Sequence, residues 1–174
     1  MNVRASTGLP LYTAAERRRR DASPWTLVQG VLAPLQFLAF AVSLFLVLRY
    51  LYDGQGLAAA NASVLVKTSL LYAIMITGSL WEHDVYGKYL FARPFFWEDV
   101  VSMLVIALHS AYLAALLAGW LPPRALMLLA LAAYASYTVN AAQFLLKFRA
   151  ARLAGSGAGV AGSGVAAAAA GALE

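Results

Sequence analysis

At 174 residues, 62% hydrophobic and only 12% charged, the chain has too little polar surface to face water on all sides, so a bilayer is its natural solvent. Its formal charge of +5 comes from basic residues at the ends of apolar segments rather than on one polar face, which argues against nucleic acid and for membrane topology. Cysteine is absent, which excludes disulfides, thiolate metal sites, iron–sulfur clusters and a cysteine nucleophile.

Residues 1–26 form a basic segment that carries Arg4 and Arg17 to Arg20. Four apolar stretches follow in residues 27–153, at about 27–51, 60–80, 100–119 and 124–146, each near the ~20 residues that cross the hydrocarbon core. The first is too long for the h-region of a signal peptide and is read as a retained helix, with Pro34 able to kink it. Lys88, Arg93, Lys147, Arg149 and Arg152 join the N-terminal arginines on one face of the membrane, and only Arg49 and Arg124 border the other. Because cytoplasmic loops carry the excess of lysine and arginine, the expected fold is an all-α, integral membrane four-helix bundle with N- and C-termini cytoplasmic. Residues 154–174, mostly Gly, Ala, Ser and Val, read as a low-complexity flexible tail.

Polar groups inside the spans mark the candidate site. Gln29, Gln36, Ser43 and Tyr50 recur every seven residues in the first span and form one seam, of the kind that often only glues helices together. Lys67 in the second span lies near enough to the far surface to snorkel outward. Between the second and third spans, Trp81-Glu82-His83-Asp84 and Phe95-Phe96-Trp97-Glu98-Asp99 combine aromatics with acids. They read either as an interfacial belt or as an aromatic entrance with carboxylates and His83 placed for proton transfer. Glu98, Ser102 and His109 share one helix face in the third span, although Glu98 and Asp99 also sit where a helix start favours negative charge. In the fourth span Ser136, Asn140, Gln143 and Lys147 share another face. Adjacent residues such as Glu82, His83 and Asp84 diverge around a helix, so no protein-bound metal is expected.

The segments RRRRDASPWTLVQGVLAPLQF (Arg17–Phe37), YLFARPFFWEDVVSML (Tyr89–Leu104) and NAAQFLLK (Asn140–Lys147) resemble the vinyl bacteriochlorophyllide hydratase family, a likeness that covers about residues 11–153. The resemblance implies an enzyme of bacteriochlorophyll biosynthesis. It would hydrate the C3 vinyl group of chlorophyllide a or a related bacteriochlorophyllide to 1-hydroxyethyl, in the bacterial inner, photosynthetic membrane. Such a hydration needs no cofactor, and the magnesium belongs to the substrate. Catalytic candidates are Glu98, Asp99, Glu82 and His83, and substrate-binding candidates are His109, Trp97, Ser102, Asn140, Gln143, Lys88 and Arg93. If His109 ligates the magnesium, Glu98 is too distant at about 16 Å along a helix, and Glu82 becomes the acid. If the pigment instead lies at the cytoplasmic boundary, with its propionate toward Lys88 or Arg93, Glu98 and Asp99 form the acid/base pair, and this is the preferred arrangement. Expected partners are the substrate, the bilayer, and a second copy of the chain or other enzymes of the same biosynthesis; no nucleic acid is expected. The rival readings are a pigment-binding or assembly factor without enzymatic activity and a small transporter or channel subunit.

Overall fold

A computed structural model describes the backbone of residues 11–170 and the side chains of residues 11–151. Its elements in chain order are α1 (Ala14–Ala22), α2 (Pro24–Asp53), α3 (Leu57–Tyr86), a 3₁₀ turn (Arg93–Phe95), α4 (Phe96–Ala118) and α5 (Pro123–Ala170), with no strand among the described residues. Four of these helices are long and apolar enough to cross a membrane: Pro24–Asp53, Leu57–Tyr86, Arg93–Ala118 and Pro123–Ala151. The all-α, four-span expectation therefore stands. Arg4 and the end of the expected tail lie outside the described residues, and from residue 152 to Ala170 only the helical backbone of α5 is described.

Local chemistry sets the ends of the helices. Pro24 opens α2, where its fixed φ and missing N–H cost nothing. Gly54 and Gly87 close α2 and α3 with φ of 74° and 75°, a left-handed conformation that side chains resist, and each returns its N–H to a carbonyl of the last turn. Pro34 lies within α2 without ending it.

Two elements differ from the sequence expectation. The helices outrun the apolar stretches: α3 continues to Tyr86, so Trp81 to Asp84 are its last turns rather than the start of a loop. A 30-residue helix is about 45 Å long and reaches through the headgroup layer, where charged residues are at home. The basic N-terminal segment also contains a helix of its own. Thr13 and Glu16 form a reciprocal capping box at the start of α1, and α1 then packs against α3.

The packing inverts that of a water-soluble protein. Leu27, Phe37, Phe45, Leu117 and Leu145 are exposed, while Gln36, Ser43, Lys67, Thr68, Ser102 and His109 are buried. α2 packs along α3 and α4 along α5, whereas α3 and α4 meet only sparsely. The bundle is thus two helical hairpins laid together. Apolar contacts among Val47, Val64, Tyr112, Met127, Ala130 and Tyr134 fill the half away from α1. There Ser43 hydrogen-bonds Tyr134 at 2.5 Å and Ser63 at 2.7 Å, joining α2, α3 and α5. Gln29 donates to Thr77 at 2.7 Å, and its amide lies against Gly78. Gln29 and Ser43 therefore hold helices together, as a polar seam in lipid should.

Candidate functional site

The end of the bundle that carries α1 and the α3–α4 connection gathers the acids. Glu82 in the last turns of α3 and Asp99 in the first turn of α4 are buried, and their carboxyl groups face each other closely enough to interact. A carboxylate only accepts a hydrogen bond, so two carboxyl groups that meet directly hold a proton between them. Each group also fixes the connecting segment: Ala92 N–H donates to Glu82 Oε1 at 2.5 Å, and Phe91 N–H donates to Asp99 Oδ2 at 2.7 Å. Phe91 has φ of 60°, the one non-glycine residue with positive φ among the described residues. The hydrogen bond to Asp99 holds that strained turn in place.

Glu98 is placed otherwise. Lys147 Nζ of α5 donates to its Oε2 at 2.5 Å and also to the Pro94 carbonyl, and the same ammonium lies 5.0 Å from the Phe95 ring centroid. One turn deeper, Asn140 donates to Ser102 at 2.8 Å, tying α5 to α4. Asn140 Oδ1 and Gln143 Oε1 have no partner. His109 is fully buried, with Nδ1 2.8 Å from its own helix's Val105 carbonyl and Nε2 unpartnered. Ten residues of helix separate it from Asp99, about 15 Å, and Glu82 sits beside Asp99. Along the helix axes both acids therefore stand well apart from His109, at the end of the bundle that carries α1.

The remaining candidates surround this core. His83 is exposed and stacks on Tyr89 with ring centroids 4.3 Å apart, turned away from the carboxyl pair's helix face. Trp97, Lys88 and Arg93 are exposed. Tyr89, Phe91, Phe96 and Trp97 form an exposed aromatic rim beside the buried acids. Behind the acids, Phe95 is buried against Trp81, Tyr86, Phe144 and Phe148 with centroid distances of 5.7 to 6.1 Å, which excludes water from the pair's rear. The N-terminal segment closes the same end: Ser23 donates to Asp84 at 2.7 Å, and Tyr12 stacks on Tyr86. Burial pushes the Tyr12 hydroxyl above its ordinary value, while the Thr13 amide holds the Glu16 carboxyl below its own.

Sequence reasoning put Glu98 and Asp99 together as the working pair and missed that Lys147 claims Glu98, leaving Asp99 to Glu82. The signal was present, since Lys147 continues the Ser136, Asn140, Gln143 face, but the helix that faces it cannot be read from one chain's periodicity. Lys67 is a plain correction. It does not snorkel: it is wholly buried, with Nζ 3.7 Å from the Tyr137 ring centroid, because its face of α3 turns into the bundle rather than toward the far surface.

The two clearest concavities lie away from the acids. One is at the opposite end of the bundle between Leu57, Asn61, Ala115 and Leu126, and the other is an apolar groove on the outer α2–α3 face along Leu35, Val42, Val66 and Leu70. Neither offers a titratable group.

Residues 12–150 match the family model of 2-vinyl bacteriochlorophyllide hydratase. A 2-vinyl bacteriochlorophyllide hydratase of Rhodobacter capsulatus is 64% identical over 143 residues, covering 82% of this chain and 83% of that one. One of Cereibacter sphaeroides is 64% identical over 144 residues, covering 82% and 89%. No solved structure matches the chain. All three segments that carried the resemblance fall within the matched residues.

Proposed function

Because the chain belongs to the 2-vinyl bacteriochlorophyllide hydratase family, we propose that it adds water to the vinyl group of a bacteriochlorophyllide and that the Glu82–Asp99 pair moves the protons. The observation that carries the assignment of the site is a facing pair of buried carboxyl groups, one from each hairpin and each fastened to the connecting segment, beside an exposed aromatic rim.

Hydration of a vinyl group places hydrogen on the terminal carbon and hydroxyl on the carbon joined to the ring. The protonated member of the pair gives its proton to the terminal carbon, and the positive charge that forms spreads over the macrocycle. Water attacks the ring-attached carbon and passes a proton to the carboxylate member. The pair ends with the proton count it began with, and no electron is gained or lost, so the chain's own acids and the substrate suffice without a cofactor. Packing of Phe95 and its neighbours keeps bulk water from the cation.

The macrocycle is flat and apolar, and the rim of Tyr89, Phe91, Phe96 and Trp97 matches it, with Lys88 or Arg93 at the water boundary to receive the propionate. Ser102, Asn140 and Gln143 form a polar patch deeper in the bundle, on the inward faces of α4 and α5. His83 belongs to the wall of the rim. The excess of basic residues at this end, Arg17 to Arg20, Lys88, Arg93, Lys147 and Arg149, supports a cytoplasmic position for it, in a bacterial photosynthetic membrane.

Purified protein in detergent, given chlorophyllide a in ¹⁸O-labelled water, should yield a product heavier by one labelled water. Glu82→Gln and Asp99→Asn still accept the Ala92 and Phe91 N–H groups and so keep the loop in place. Each should lower turnover by about 10²-fold or more. Glu98→Gln should lower it less than about tenfold, because its partner is Lys147. Full turnover in Asp99→Asn would end the assignment.

A further inference from the structure

A second polar cluster lies in the middle of the bundle, apart from the carboxyl pair. Lys67 Nζ, Thr68 Oγ1, both amide atoms of Gln36 and His109 Nε2 are buried without a hydrogen-bond partner. Their residues come from α2, α3 and α4, and none is more than 2% exposed. Two of them meet at one ring: His109 and Lys67 both flank the Tyr134 ring, with centroid distances of 5.9 Å each, and Lys67 lies over Tyr137. Counting along the helices from the Ser43–Ser63–Tyr134 contact, Lys67, Thr68 and Gln36 fall within about 10 Å toward the α1 end.

The donors and acceptors fix what this space takes. A carbonyl only accepts, so His109 Nδ1 carries the hydrogen that meets Val105, and in the neutral ring Nε2 is a bare acceptor. Gln36 Oε1 is a second acceptor and the Thr68 hydroxyl a third. Lys67 supplies donors, and no carboxylate pairs with it among the described residues. Leaving several such groups bare is costly, most of all for the ammonium. An anion would face the acceptors as well as the ammonium. Water bridges both kinds and needs only two to four polar partners.

We propose that Lys67, Thr68, Gln36 and His109 hold a cluster of internal water molecules between the two hairpins. Between the cluster and the end of α4 that carries Asp99 lie further inward polar atoms, the bonded Ser102–Asn140 pair and the unpartnered Asn140 Oδ1 and Gln143 Oε1. The cluster gives the lipid-embedded bundle its own store of the small reactant that hydration consumes. This last role rests on the hydration reading, whereas the presence of the water does not.

Millisecond hydroxyl-radical labelling of the full chain in ¹⁸O-labelled water, read by mass spectrometry, tests the proposal, because bound internal water generates radicals beside side chains that bulk solvent does not reach. Tyr134, Tyr137 and His109 should be modified, and Phe95, buried among aromatic rings, should serve as the dry control. Lys67→Leu should cut labelling of Tyr134 and Tyr137 by about tenfold and leave Phe95 unchanged. Thr68→Val, a milder change that keeps the lysine, should cut it severalfold. Asp99→Asn should label like the parent chain while losing turnover, so the water site and the reaction site fail separately. Labelling of Tyr134 and Tyr137 no higher than that of Phe95, or labelling unaffected by both variants, would overturn the proposal.

Discussion

Glu98 and Asp99 are neighbours in sequence and separated in chemistry. One meets the Lys147 ammonium and the other meets a second carboxyl group. Their burial was legible, because acids next to an apolar span have few places to go, but their partners were not, since those lie on other helices. Lys147→Met should strand a buried carboxylate and cost about 2–4 kcal/mol, below the 3–5 of a fully enclosed pair because the lysine side chain is 25% exposed. Thermal unfolding in detergent measures that loss. Adding Glu98→Gln should recover most of it, and a double variant no more stable than Lys147→Met would show that the pair is not the source.

At the scale of elements, apolar runs located all four long helices but placed their ends short. Hydropathy marks only the part of a helix immersed in hydrocarbon, and α3 continues for another turn and a half through Glu82. α1 escaped notice because four consecutive arginines hide any apolar face, yet the Thr13-x-x-Glu16 box was readable as a start signal. Thr13→Ala should loosen α1 by about 1 kcal/mol, seen as faster amide exchange in residues 14–22 with the transmembrane helices unchanged. Glu16 adds a pH dependence. Its carboxyl is held below the ordinary 4.5, so its contribution is complete above that value and is lost as pH falls through the lowered one. Protection of α1 should therefore fade only in strong acid, and fading between pH 7 and 5 would contradict the capping box.

For the whole molecule, the seven-residue seam of α2 and the faces of α4 and α5 were correct guides to the interior, since Gln36, Ser43, Ser102, His109 and Asn140 are all buried. How the helices pair was not legible, because a polar seam states that a face is inward and not which neighbour it meets. The excess of basic residues at the α1 end predicts an orientation with that end cytoplasmic. A reporter active only in the periplasm should work when inserted at Gln55, and one active only in the cytoplasm should work at Lys88. The reverse pattern would place the carboxyl pair on the other side of the membrane.

Residues 87–92 and the 3₁₀ turn after them are the covalent bridge between the two hairpins, and the carboxyl pair is fastened to that bridge through Phe91 and Ala92. Any parting of the hairpins hinges there, and points on a hinge travel least. Movement of one hairpin against the other would then spread the far parts of the bundle while Glu82 and Asp99 kept their spacing, so the end that carries the acids is the part most constant in shape.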